Sequence, residues 1–176
     1  VGDGIDNISD ASQSLISTIK AFGQETYSAM EIVDKFNKVG NEFAISSVGI
    51  GEALQKSAAA LAAGGNTLEE SIGLATGMNA VIQNPEIVGT ALKTYSMYLR
   101  AAKAEAEDAG ESTEGMANSV SELRSQLLTL TNNKVDIMLD DKSFKSTYQI
   151  TKDLAAVWKD ISDIDQAAIL EKIGGK

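Results

Sequence analysis

The stretch Asn84–Arg100, NPEIVGTALKTYSMYLR, contains the only proline of the 176-residue chain, Pro85. Asn84 is a good helix N-cap, because its side-chain oxygen can accept a hydrogen bond from a free backbone N–H group. Proline suits the first helical position, where its fixed φ is already helical and its missing N–H is not needed. Glu86 adds a negative charge at the positive end of the helix dipole. The stretch therefore predicts a helix start, and the scarcity of proline elsewhere is typical of a chain that is nearly all helix.

Apolar residues recur at helical spacing behind this start, which predicts an amphipathic helix. We expect Leu92 and Tyr95 to be buried on its apolar face. The whole face comprises Val88, Ala91, Leu92, Tyr95, Tyr98 and Leu99.

Further helix starts and stops recur through the first half of the chain. Ser28 with Glu31 and Thr67 with Glu70 have the spacing of capping boxes, and Ser47 is another N-cap candidate. The predicted ends are Gly23, Gly40 and Gly64-Gly65. The predicted inward faces are Ile5, Ile8, Leu15, Ile19 and Phe22; Met30, Val33 and Phe36; Ile50, Leu54, Ala58 and Leu61; and Leu68, Ile72, Ala75, Met78 and Ile82.

Two glycine patterns also concern packing. Gly73 and Gly77 are four residues apart, so a neighbouring helix can approach closely on that side. No apolar run approaches the roughly 18 residues that a membrane span needs, so the spacing indicates packing in water. Gly49-Ile50-Gly51 is too short for a dinucleotide-binding fingerprint and is expected to loosen a helix start.

The second half begins with an acidic stretch, Ala104–Gly115, which carries five acidic residues and no basic one. It predicts a solvated helix end and a mobile loop, since the ligand order of a calcium loop is missing. Helical faces follow, and Lys134–Leu139 alternates weakly, as a short strand does. These faces are Val120, Leu123, Leu127 and Leu130; Phe144, Tyr148, Thr151, Leu154, Trp158 and Ile161; and, behind a Ser162–Asp165 cap, Ala168 and Ile173.

These patterns predict an all-α fold of about seven or eight amphipathic helices, with room for one very short strand. We expect a helical core over residues 1–103, an acidic mobile linker over 104–118 and a C-terminal helical segment over 119–176. Helices of this length bury a stripe by folding back on their neighbours, so a compact assembly is expected. Because the chain opens on Val1 and stops at Lys176 just past a double glycine, we expect it to be a piece of a longer protein.

The amino-acid composition argues against several classes of function. The net charge of −10 argues against binding nucleic acid through a basic face. The chain has no histidine and no cysteine, which removes the commonest general base, the commonest metal ligand and all thiol chemistry. Carboxylate clusters occur at Asp140-Asp141 and at Asp163 and Asp165, where turns and caps also need acidic residues. We therefore expect no enzymatic activity, no cofactor and no metal site.

Three stretches carry a family resemblance: VDKFNKVGN (Val33–Asn41), EALQKSAAALAAGGNTLEE (Glu52–Glu70) and GTALKTYSMYLR (Gly89–Arg100). With VDIMLDDKSFKSTYQITKDLAAVW (Val135–Trp158) and AAILEKIGGK (Ala167–Lys176), they resemble the core region of phage tail tape-measure proteins. The resemblance covers most of the chain from Ala29 onward. It consists of ordinary helix residues and includes no catalytic signature.

The resemblance implies a long, helix-rich structural protein that sets tail length during assembly and lies in the lumen of the tail tube. It implies the virion tail as location, after assembly in the cytoplasm of a bacterial host. The implied partners are the tail tube, the tail tip or baseplate, chaperones and further copies of the protein. Some members carry murein-hydrolase domains, and no match to those is visible. Gly89 and Thr90 are recognisable family positions, interpreted as packing positions. The expected structural positions are thus Asn84, Pro85, Gly89, Thr90, Leu92 and Tyr95.

Two other classes stay open. A helical protein-binding module, secreted or host-interacting and without a ruler role, has the same composition. A muramidase-like enzyme is a third class, which a cell-wall turbidity assay distinguishes.

Overall fold

A computed structural model of the chain describes residues 8–23 and 26–174, with side chains from residue 11 onward in the first helix. Over these residues the chain forms nine α-helices and no strand, so the predicted all-α fold is confirmed. Lys134–Leu139 contributes only one isolated β-bridge, between Met138 and Phe144. None of the described helices combines the length and the apolar character that crossing a membrane requires.

The chain divides into two compact units, Val1–Lys93 and Thr94–Lys176. This division falls inside one helix. The domain boundaries expected from the sequence, after residues 103 and 118, stay a prediction. The acidic stretch 104–118 belongs to the second unit, and its first residues lie in a short helix, Lys103–Asp108.

The first unit contains α1 (Ile8–Phe22), α2 (Ala29–Glu42), α3 (Ser47–Ala63), α4 (Leu68–Ile82) and the beginning of α5 (Pro85–Leu99). Both predicted capping boxes are present, at Ser28 before α2 and Thr67 before α4. The cap of α3 is Ser46, one residue before the predicted Ser47, because the Ser46 hydroxyl accepts the Gly49 N–H at 3.0 Å.

Helix α3 is the centre of this unit, since α1, α2 and α4 all pack against it. Its predicted inward positions are buried, whereas the prediction for Met30 of α2 is wrong: this side chain is 71% exposed, and Ile32 is fully buried instead. Helix α2 turns Ile32 and Phe36, one turn apart, toward the core, and Met30 lies on another side. Gly40 does not end α2, which continues to Glu42. Ile5 and the side chain of Ile8 lie outside the described residues. The core comprises Ile32, Phe36, Ile45, Ile50, Ala53, Leu54, Ala58, Leu61, Leu68, Ile72, Ala75, Val88 and Leu92.

The second unit contains the end of α5, α6 (Lys103–Asp108), α7 (Val120–Leu130), α8 (Thr147–Val157), a single 3₁₀ turn (Trp158–Asp160) and α9 (Asp163–Gly174). Phe144 was predicted inside a helix, which is wrong, because α8 begins only at Thr147, behind the N-cap Ser146. Ser162 caps the start of α9 as predicted, because its hydroxyl accepts the Asp165 N–H at 3.2 Å. The core comprises Leu99, Ala117, Leu123, Leu127, Val135, Ile137, Ile150, Leu154, Ile161, Ile169 and Ile173.

Candidate functional site

The structural positions singled out in the sequence lie at the start of α5 and along it. The Asn84 Oδ1 accepts the Ile87 N–H at 3.1 Å, and Pro85 is the first residue of the helix. The Thr90 hydroxyl donates to the Glu86 carbonyl at 3.2 Å. Leu92 is fully buried.

Gly89 contacts α3 in the first unit, and Tyr95 contacts α8 in the second unit. A Cβ atom on Gly89 would stand 2.5 Å from the Ala53 carbonyl oxygen of α3, so the two backbones touch. In the second unit, the Tyr95 hydroxyl lies 2.9 Å from the Thr151 hydroxyl of α8. Burial raises the pKa of Tyr95 above its ordinary value, so this side chain is a neutral hydrogen-bonding group.

The acidic residues considered for catalysis occupy turn and cap positions. The Asp140 carboxylate accepts the Lys142 N–H at 2.7 Å, and this bond lowers the pKa of Asp140. Asp165 accepts the Ser162 hydroxyl at 2.6 Å at the start of α9, and Asp163 is the first residue of that helix. A general acid needs a raised pKa, and the pKa of Asp140 moves the opposite way.

Basic partners hold several other carboxylates in the ionised form. Hydrogen bonds from Lys56 and Arg124 lower the pKa values of Glu86 and Asp136, respectively. Within the described residues, no group of three or more acidic side chains is placed to hold a metal ion. The charged side chains of Lys56, Glu86, Arg124 and Asp136 form two separate ion pairs and do not share one site.

A groove of about 550 Å³ lies between α2 and α4 in the first unit. We call it the α2/α4 groove. Most of its lining is apolar or small, and four charged residues stand at its rim. The lining residues are Lys35, Lys38, Val39, Glu42, Phe43, Ala44, Glu69, Ile72, Gly73, Thr76, Gly77 and Ala80.

Two contacts mark the ends of the α2/α4 groove. At one end, the Lys35 Nζ pairs with the Glu69 carboxylate at 2.7 Å. At the other, the Asn79 side-chain amide donates to the Ala44 carbonyl at 3.0 Å. Residue 35 contacts residue 69, and the later residue 44 contacts the later residue 79. Both segments therefore run in the same direction, so α2 and α4 are parallel. The ten residues from 69 to 79 correspond to about 15 Å of helix, or nearly three turns.

The Lys35 end of the groove is fixed by a small network. The hydrogen bond between Lys35 and Glu69 raises the pKa of the lysine and lowers that of the carboxyl. The Tyr27 hydroxyl donates to the other Glu69 oxygen at 2.9 Å, and burial, then this bond, raises the pKa of Tyr27. The charges at this end are therefore engaged within the chain.

The α2/α4 groove was not predicted as a site, although the sequence held one signal for it. Gly73 and Gly77 were expected to contact a neighbouring helix. In the structure both are exposed, and a Cβ on Gly77 would meet no described atom within 4 Å. The spacing thus located an open surface and not a contact with a neighbouring helix.

The fold and this groove define the class: an all-α protein whose described residues form two helical units, the first with an open groove between α2 and α4. The chain matches the family of phage-related minor tail proteins over residues 1–175, and it belongs to this family. It is therefore a phage tail protein. No curated protein and no solved structure matches it.

Proposed function

We propose that the chain is a segment of a tape-measure-type tail protein, which contributes to tail assembly and to the length of the tail. The observation that carries the proposal is membership of the minor tail family over residues 1–175. The resemblance of the stretches from Ala29 onward to tape-measure core regions, and the all-helical fold, support it. The proposed partners are the tail tube, the tail tip or baseplate, and assembly chaperones.

We further propose that the role is structural and not enzymatic. The lowered pKa of Asp140 supports this, since a carboxyl that stays ionised is a poor general acid. In a cell-wall turbidity assay the chain should clear no peptidoglycan. Clearing that is lost in Asp140→Asn or Asp165→Asn would contradict the proposal.

The ruler role raises a question about the state of the chain inside a tail. Helix α4 contributes Leu68, Ile72 and Ala75 to the core of the first unit. If this unit stays folded in the tail, removing α4 removes part of that core and blocks assembly. If its helices separate into an extended form, each helix adds its own length to the ruler.

The test is an in-frame deletion of Leu68–Ile82 in the phage gene, with tail lengths measured by electron microscopy. The extended form predicts tails shorter by at most about 22 Å for these fifteen residues. The matched control replaces α4 with an unrelated fifteen-residue helix, which keeps the length and should keep the tail length.

The outcomes separate three roles. Proportional shortening across a deletion series supports the ruler. Failure of tails to form places the segment in assembly and not in measurement. Normal tails of unchanged length in every deletion contradict both roles and favour the alternative, a helical protein-binding module, for which the α2/α4 groove is the supporting observation.

A further inference from the structure

Helices α5 and α6 are separated by Arg100–Ala102, a tripeptide of residues that favour helix. Alanine and arginine are among the strongest helix formers, and the sequence from Gly89 to Asp108 contains no further glycine and no proline. The local sequence therefore favours one helix over residues 85–108, about 36 Å long. The structure instead has two helices with a break between them.

The break is strained at Ala101. The N–H groups of Ala101 and Ala102 donate to carbonyls in the last turn of α5 at 3.1 and 3.0 Å. This helix ending places one residue in the left-handed region, which is the usual place for glycine. Gly65 after α3 and Gly110 after α6 occupy that position with φ of 76° and 71°, whereas Ala101 has a φ of 50°. A Cβ atom makes this conformation unfavourable, so the end of α5 is held there by other contacts.

Residues 109–115, which we call the strap, follow α6 and contact one face of α5. The Thr94 hydroxyl donates to the Glu111 carboxylate at 3.1 Å. One turn further along α5, the Tyr98 hydroxyl lies 3.0 Å from the Ser112 carbonyl and 2.9 Å from the Glu114 carbonyl. These bonds draw the strap back along α5. The start of α6 has no such support of its own, because no side chain caps it.

The strap contacts and a continuous helix exclude each other. In one helix through Asp108, Thr94 and Asp108 would stand about 21 Å apart along the axis. The chain from Asp108 to Glu111 spans at most about 11 Å when fully extended. The Thr94 side chain points sideways from the helix, so the two side chains do not close the remaining gap. A continuous helix therefore requires the strap to leave α5.

We propose that Arg100–Ala102 is a conformational switch governed by the strap. With the strap on α5, the joint is bent and Ala101 is left-handed. When the strap leaves, Ala101 becomes helical and α5 and α6 join into one helix over residues 85–108. The switch is a property of this chain and does not rest on a role in tail length.

The charged residues around the joint differ between the two forms. The Arg100 Nη2 pairs with the Glu105 carboxylate at 3.0 Å in the bent form. Residues five apart face different sides of one helix, so the continuous form breaks this pair. It places Lys103 and Glu107 four apart on one face instead, which partly offsets the loss.

Backbone NMR relaxation dispersion of the 176-residue chain tests the switch, because it detects a minor form that exchanges in microseconds to milliseconds. The expected minor form has helical Cα chemical shifts at Arg100–Ala102. Tyr98→Phe should raise its population about fivefold, since the strap loses two bonds. Tyr95→Phe is the control, because its hydroxyl bonds to Thr151 and not to the strap, and it should leave the population unchanged.

Substitutions at Ala101 should shift the population in both directions. Ala101→Gly should lower it about tenfold, because glycine relieves the bent form and disfavours helix. Ala104→Gly is the matched control, since residue 104 is helical in both forms and its change should leave the population unaltered. Ala101→Val should make the continuous helix the main form, because a β-branched residue does not fit the left-handed region.

Circular dichroism checks that each variant is folded. Non-helical shifts at Arg100–Ala102 in the parent chain, Tyr98→Phe and Ala101→Val alike, with no exchanging second form, overturn the proposal. A second form with random-coil shifts at these residues also overturns it, because it indicates local unfolding. Equal effects of Ala101→Gly and Ala104→Gly contradict it as well.

Discussion

Gly89 of α5 lies directly against the backbone of Ala53 in α3: a Cβ on residue 89 would stand 2.5 Å from the Ala53 carbonyl oxygen and 3.0 Å from the Ala53 Cα. Both atoms belong to a helix backbone, which cannot move aside as the end of a flexible side chain can. Gly89→Ala should therefore push α5 away from α3 and destabilise the first unit by about 1–3 kcal/mol. Chemical denaturation followed by circular dichroism measures this change.

Gly77→Ala is the matched control, since it makes the same change inside a helix where nothing lies within 4 Å. It should stabilise the chain by about 0.5–1 kcal/mol, because alanine loses less backbone entropy than glycine in a helix. Equal effects of the two substitutions would show that the α3–α5 contact is not tight.

Leu92→Ala should cost about 2–5 kcal/mol of unfolding free energy, because this side chain is fully buried and its loss leaves a cavity in the first core. Ile87→Ala on the same helix is the control, since Ile87 is 55% exposed and its truncation should cost far less. A loss below about 0.5 kcal/mol for Leu92→Ala would mean that the core described around it does not form.

Helix starts were the most predictable part of this fold from the sequence. Capping depends on residues three apart, as at Ser28 and Glu31 or Asn84 and Ile87, so local sequence is sufficient to predict it. Helical spacing also identified buried positions on α3. Helical spacing gave a wrong prediction at Met30, because two faces of α2 are each apolar enough to be the buried face. Packing against α3 decides which of the two faces is buried.

Contacts between distant residues could not be predicted in this way. The partner of Gly89 is Ala53, and the α2/α4 groove depends on how two helices lie on a third. Glycine spacing indicated that backbones approach closely somewhere, without showing which pairs meet. The acidic stretch 104–118 was predicted to be mobile from its charge, and charge gives no information about the hydrogen bonds that reach it from Tyr98.

Tyr98 provides a further test, because it reaches into the acidic stretch predicted to be mobile. Its hydroxyl lies 3.0 Å from the Ser112 carbonyl and 2.9 Å from the Glu114 carbonyl, and its one proton is shared between them. Tyr98→Phe should cost about 0.5–1.5 kcal/mol and free this loop. Limited proteolysis should then cut within residues 109–115 faster than in the parent chain.

Tyr95→Phe is the control for that experiment, since it removes a hydroxyl bonded to Thr151 and not to the acidic stretch. It should leave the cutting rate in residues 109–115 unchanged. If the parent chain is first cut inside α3, the predicted mobility of the acidic stretch is wrong, whatever the effect of Tyr98.

The pair Arg124–Asp136 predicts how stability depends on pH in the second unit. The guanidinium donates twice to the carboxylate, from Nε at 2.9 Å and from Nη2 at 2.6 Å, and this lowers the pKa of Asp136. A carboxyl with a lowered folded pKa stabilises the folded state fully above its unfolded pKa, about 3.9, and progressively less as the pH falls through the folded value.

Asp136→Asn should therefore destabilise the chain at pH 7 and have a much smaller effect at about pH 2, where the carboxyl of the parent chain becomes protonated. Denaturation midpoints at several pH values measure both effects. Asp160→Asn is the control, because the Asp160 side chain is 67% exposed and holds Lys134 through one contact. Solvent screens such a pair, so its loss should change the midpoint little at any pH. A pH profile of Asp136→Asn that runs parallel to that of the parent chain would mean that the Arg124–Asp136 pair does not contribute to stability.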